Sequence, residues 1–209
     1  MNPPQPEEDR CAGIVLAGGS SRRMVQPKAW LPFGPERMLA RVVRLLSEVV
    51  RPVVVAAGAG QEVSELPPWC RVVYDSAADQ GPMEGLAAAM EFLQAEAELV
   101  FVAGCDTPLL APGLVRRIIA LADGFDAAVP HLGGIDHPLT AVYRTRLAAK
   151  IKESLALGSR RMGSLLDAIR TRRVAAEELI DVDPCLLSVA NINTPAEYLA
   201  ALREAGLFA

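Results

Sequence analysis

Apolar residues along the chain fall into two alternating patterns. Short unbroken runs at 12–16, 53–57 and 99–103 have the length and composition of strands buried on both faces, and 71–74 reads as another. Between them the period lengthens to that of a helix. Over 35–51, Met38, Leu39, Val42, Leu45, Leu46 and Val49 share one face, with Arg37, Arg41, Arg44 and Glu48 opposite. Met83, Leu86, Met90 and Leu93 stack on a second helix that enters through Asp79-Gln80-Gly81-Pro82 and reaches about residue 96. A third helix is expected over 111–122. A short helical piece is expected after the Gly58–Gly60 turn, stopped by Pro67 and Pro68.

The second half is less regular. Residues 126–130 and 138–143 read as strands about a glycine turn at 133–134, with a further strand somewhere in 174–182. Helices are expected over 145–157, 162–170 and 195–205, the last capped by Thr194. Strands alternating with helices imply an α/β fold: a single three-layer α/β/α domain over 11–209 with a mostly parallel, Rossmann-like sheet. Residues 1–10, polar and proline-rich, are expected to form a flexible tail.

Composition narrows the function classes. The 209 residues are enough for a substantial core without disulfides or metals. A net charge of −4 with mixed signs argues against a nucleic-acid-binding surface. No apolar run is long enough to cross a membrane, and the acidic start is unlike a signal peptide. The four cysteines show no metal-ligand spacing, so reduced thiols in a cytoplasmic compartment are expected.

The chemistry concentrates after the first strand. Leu16 and Ala17 run into Gly18, Gly19, Ser20 and Ser21, then Arg22, Arg23 and, after a gap, Lys28. Glycines let backbone N–H groups close around phosphate oxygens, while hydroxyls and cations add donors. Eighteen arginines and three lysines make Lys28 conspicuous, because a compact ammonium was used where a planar fork is the chain's habit. An ordinary strand-to-helix bend is the alternative for the glycines.

In an open parallel sheet, ligands bind beyond the carboxyl ends of the strands. Asp75 and Asp106 follow two such ends, so topology brings two carboxylates and the glycine loop to one edge. Mg²⁺ takes oxygen ligands, commonly one or two carboxylates together with substrate phosphates. Asp106, after the most apolar strand and before a stiff Thr-Pro step, is the better metal candidate. Each acid has the alternative of being a turn residue or cap. No G-x-G-x-x-G follows the first strand, and the stretch at 158–164 lacks the lysine of a P-loop. Arg160 and Arg161 in that stretch read as a solvated face, and His137 as structural.

Taken in order, these residues resemble the molybdenum cofactor guanylyltransferases, which are Rossmann-like nucleotidyltransferases. The likeness rests on Leu16-Ala17-Gly18-Gly19-Ser20-Ser21-Arg22-Arg23-Met24, Lys28, Asp75, Gly81-Pro82-Met83-Glu84-Gly85-Leu86, Cys105-Asp106-Thr107-Pro108, His137-Pro138 and Asn191-Ile192-Asn193-Thr194-Pro195. The resemblance implies GTP as donor, Mg²⁺ as cofactor, and transfer of GMP to a molybdopterin-type acceptor, with a molybdenum-insertion protein as a partner. It places Leu16, Ala17, Gly18, Gly19, Arg23 and Lys28 on the nucleotide, and Asp75 on the nucleoside. Asp106 falls on the metal, and Gly81, Asn191 and Asn193 come near the site. Val25, Pro27 and Ala56 depart from the family pattern. A cytidylyl- or sugar-1-phosphate nucleotidyltransferase, and a non-catalytic nucleotide-binding protein, are the alternatives.

Overall fold

The computed structural model describes residues 11–17, 28–63, 65–75 and 81–208. The expected tail, together with Gly18, Gly19 and Arg23, lies outside the described residues.

Strand β1 (Cys11–Leu16) is buried along its whole length and lies in the middle of the sheet. It pairs in parallel with β4 (Val53–Ala57) on one side and β6 (Leu99–Gly104) on the other. Beyond β4 lies β5 (Arg71–Tyr74), also parallel. On the other flank β9 (Thr140–Arg144) runs antiparallel to both β6 and β7 (Ala127–Leu132), and β10 (Thr171–Val174) extends β7 in parallel. The strand order among the described residues is β10-β7-β9-β6-β1-β4-β5, and β8 (Ile135–Asp136) pairs only with β7. This is the mixed, mostly parallel sheet expected of the α/β class.

Side chains alternate across a strand, so a central strand buried on both faces feeds two cores. Val15 packs under α1 (Met38–Ser47) and α3 (Pro112–Ala120). Ile14 and Leu16 pack under α2 (Pro82–Leu93), α4 (Ala148–Ala156) and α5 (Met162–Asp167). The last helix, α6 (Pro195–Glu204), sits at the end of α1 through Phe33, Met38, Ala201 and Leu202.

Several boundaries differ from the periodicity. The first helix begins at Met38 instead of 35, because Gly34 at φ +67° turns the chain into a two-residue hairpin, β2 (Pro32–Phe33) with β3 (Glu36–Arg37). No helix forms among the described residues between Gly58 and Pro68. The late strand lies at 171–174, not within 174–182. Residues 176–178 and 187–189 are single 3-10 turns, and α5 stops at Asp167. No helix among the described residues is long and apolar enough to cross a membrane, and all four cysteines are free thiols.

Candidate active site

Parallel register brings the strand ends level. Leu16 lies opposite Gly104 on one side and Ala56 on the other, and Ala57 lies opposite Tyr74. The residues that follow therefore share one edge. Cys105 N–H donates to Leu16 O and Ala17 N–H to Ala56 O, which holds the exits of β1, β4 and β6 together.

Asp106 is aimed by the turn that contains it. Thr107, fully buried, donates both its N–H and its Oγ1 hydroxyl to Gly104 O, the hydroxyl at 2.9 Å. Glycine is required two residues before the acid, since a Cβ at Gly104 would stand 2.4 Å from Asp106 Oδ1. The Asp106 carbonyl accepts from Ile192 N–H at 2.9 Å, which draws the 191–193 segment against the end of β6.

Lys28 is where these pieces meet. Its Nζ donates to Asp106 Oδ2 at 3.0 Å and to Asn193 Oδ1 at 2.7 Å, although the three residues are far apart in sequence, near the start, the middle and the end of the chain. The Lys28 and Asp106 side chains are only 16 % and 21 % exposed, a setting in which a charge-assisted bond is stronger than in open water. Asn193 is held in turn by the start of α6. Glu197 Oε2 accepts from the N–H groups of Asn193 and Thr194, while Thr194 Oγ1 accepts from Glu197 N–H in a capping box.

On the other side of β1, Asp75 accepts from Ala59 N–H through Oδ1 at 3.0 Å. Helix α2 starts beside it. Gly81 sits at φ +80°, and Gly85 approaches so closely that an added Cβ would lie 3.4 Å from Ala56 Cβ and 3.7 Å from Leu16 Cδ2.

Of the sequence candidates, Lys28, Asp106 and Asn193 come into direct contact. Leu16, Ala17 and Asp75 lie along the same edge, with Gly81 opening α2. Asn191 is exposed, and only its carbonyl joins the cluster by accepting from Asn193 Nδ2 at 3.3 Å. Arg160 and Arg161 are exposed. His137 is tied through its backbone, donating to Pro130 O and accepting from Thr140 N–H, and partial burial lowers its pKa. Burial and the neighbouring Asp106 push the Cys105 thiol up to about 12, so it is no nucleophile at neutral pH. The capping partner Glu197 was legible in the Thr194-x-x-Glu197 spacing; the room that Gly104 leaves for the Asp106 carboxylate had no sequence signal.

Among the described residues no three His, Cys, Asp or Glu side chains are grouped to hold a metal by themselves. Asp106 Oδ2 and Asn193 Oδ1 converge on the Lys28 ammonium. The Asp106 carboxylate is the hard oxygen donor there that suits a cation such as Mg²⁺, which takes a carboxylate from the protein and the rest of its shell from phosphates and water.

The fold and the site together define an α/β protein whose strand-end edge holds a lysine between a carboxylate and an amide. Solved structures place the fold among nucleotidyltransferases. The molybdopterin-guanine dinucleotide biosynthesis protein A of Archaeoglobus fulgidus superposes with a TM-score of 0.76 at 21% identity, over 93% of this chain and 98% of that one. A Thermus thermophilus 2-C-methyl-D-erythritol 4-phosphate cytidylyltransferase superposes at 0.70 with 20% identity, over 93% and 98% of the two chains. The MobA-like NTP transferase domain matches residues 13–174, and the chain belongs to that family. Sequence relatives include probable molybdenum cofactor guanylyltransferases of Mycobacterium avium, 38% identical over 93% of this chain and 95% of that one. Another, from Pelotomaculum thermopropionicum, is 35% identical over 92% of each chain.

Proposed function

We propose that this chain transfers GMP from GTP to the phosphate of a molybdopterin-type acceptor, giving a guanine dinucleotide cofactor and pyrophosphate. The observation that carries the reading is Lys28, held by Asp106 and Asn193 at the edge where β1 hands over to the glycine loop. Family membership and the guanylyltransferase relatives support guanine over cytosine.

The reaction is an in-line displacement. An acceptor phosphate oxygen forms a bond to the α-phosphorus, the bond from that phosphorus to the bridging oxygen breaks, and pyrophosphate departs. A phosphate acceptor is already a nucleophile at neutral pH, so positioning and charge neutralisation are what the protein must supply. Lys28 is placed to hold the departing phosphates as a point charge, and Gly18, Gly19 and Arg23 belong to the same phosphate-binding loop. Leu16 and Ala17 line the nucleotide, and Asp75 with Gly81 bounds the nucleoside side. Asn193 fixes the lysine, and Asn191 lies beside it. Asp106 would hold Mg²⁺, which when bound offsets charge on phosphate oxygens. Residues 11–209 act as one catalytic domain in the cytoplasm, with a molybdenum-insertion protein as a partner.

Equilibrium binding of GTP, CTP, ATP and UTP in the presence of Mg²⁺ tests this reading. GTP should bind most tightly. Preference for CTP would move the chain to cytidylyl transfer, and no binding at millimolar nucleotide would remove it from catalysis.

A further inference from the structure

One short turn holds the nucleoside side of the edge together. Residues 58–61 close it by a bond from Gln61 N–H to Gly58 O at 2.9 Å. Gln61 then uses both ends of its side-chain amide. Nε2 donates to Ala17 O at 3.1 Å, and Oε1 accepts from Gly58 N–H at 3.1 Å. Turning the amide over would set NH₂ against N–H and oxygen against carbonyl, so the two bonds fix its orientation. The next residue of the turn, Ala59, donates its N–H to Asp75 Oδ1. A single turn thus joins Ala17, at the exit of β1, to Asp75, at the exit of β5. Ala56 is buried in β4 at the same level, its carbonyl accepting from Ala17 N–H.

We propose that Gln61 is a positioning residue for nucleotide binding, anchoring the Ala17 carbonyl in register with Asp75. This inference rests on the nucleotidyltransferase reading, and its ligand is the nucleoside triphosphate. A peptide unit is planar, so fixing the Ala17 oxygen sets the plane in which the chain leaves β1 for the glycine loop. Gln61 sits over β1, β4 and β5, whereas Lys28, Asp106 and Asn193 gather beyond β6. The residue therefore governs how well the nucleotide is held, and the reacting end keeps its own supports.

The test is Gln61→Glu beside Gln61→Ala, with melting temperature, nucleotide Kd, KM and kcat measured for each. Gln61→Glu keeps the acceptor for Gly58 N–H and turns the donor facing Ala17 O into a second acceptor. Loss of that bond predicts roughly tenfold weaker binding and a matching rise in KM, with kcat changed less than about threefold. Lowering the pH from 8 to about 4, into the ordinary glutamic acid range, protonates much of the introduced carboxyl and restores a donor. The affinity of Gln61→Glu relative to the parent should then recover, while that of Gln61→Ala stays flat. Variants that melt like the parent and bind within twofold of it overturn the proposal. So does a fall in kcat at unchanged KM, or loss of the melting transition in both variants. The parent is measured with all four nucleotides, and the variants with the one it binds best. Preference for CTP would overturn the guanylyl reading and leave Gln61 to be judged on CTP.

Discussion

Gly104→Ala is the substitution whose consequence follows most directly from distances. A Cβ at this position would stand 2.4 Å from Asp106 Oδ1, against 3.4 Å or more for ordinary contact, so the carboxylate must retreat by about 1 Å. The next nearest atoms outside the chain neighbours, at 3.6 and 3.9 Å, also belong to Asp106, and the Gly104 φ lies outside the left-handed region. The backbone accepts alanine, therefore, and the strain is relieved by moving the acid away from its place beside Lys28. A misplacement of about 1 Å costs on the order of a hundredfold in rate, equivalent to about 2.7 kcal/mol of transition-state stabilisation. Fold stability should change by less than about 1 kcal/mol, the range expected for glycine to alanine at a tolerated backbone position. The assay is pyrophosphate release at saturating GTP and acceptor, paired with thermal melting. In an Asp106→Ala background the same substitution should cost nothing further, because two changes acting through one carboxylate do not add. A folded Gly104→Ala protein retaining a third of parental activity would refute the reasoning.

Three further outcomes are expected. Lys28→Arg should lose activity nearly as fully as Lys28→Ala, on the order of a hundredfold or more in kcat/KM, because a planar fork cannot replace a point charge between Asp106 and Asn193; substantial rescue by arginine in steady-state kinetics would contradict this. Thr194→Ala removes the cap of α6 and should lower stability by about 1 kcal/mol in urea unfolding, with kcat/KM falling as Asn193 loses its support; an unchanged midpoint would sink it. Burial holds His137 below its ordinary value of 6.5, so the unfolded chain takes up a proton first as pH drops through that value. Stability should be flat above pH 7 and fall below about 6.5, and His137→Gln should remove that fall in urea titrations at pH 5 to 8.

The central strands were legible because burial on both faces leaves a continuous apolar run. Residues 53–57, buried along their whole length, were placed to the residue for this reason; 71–74, a partly buried edge strand, was also placed to the residue, on its short run of valines and tyrosine. Where structure depends on a pairing of two or four residues, periodicity has nothing to report. The hairpin at 32–37 is too short to alternate, so its last residues read as the first turn of a helix. Thr171–Val174 carries two arginines on a half-exposed edge strand, which gives no apolar run. At the site, Lys28 and Asp106 were legible as strand-end chemistry, and Asn193 as one of two close amides opening the last helix and through the resemblance. The bond from Lys28 to Asn193 spans 165 positions and exists because Ile192 is tied to the Asp106 carbonyl, a contact no local pattern encodes. Gln61, just after the Gly58–Gly60 turn, drew no reading from the sequence, since its two partners lie at strand exits that only the fold brings near.

The most direct measurement is product formation from GTP and a molybdopterin acceptor with purified protein and Mg²⁺, following pyrophosphate and the dinucleotide together, with Asp106→Asn as control. The account predicts one pyrophosphate per guanine dinucleotide, little product from CTP, and none from Asp106→Asn, whose melting should match the parent. Equal turnover by Asp106→Asn, or efficient transfer from CTP and not GTP, would contradict it.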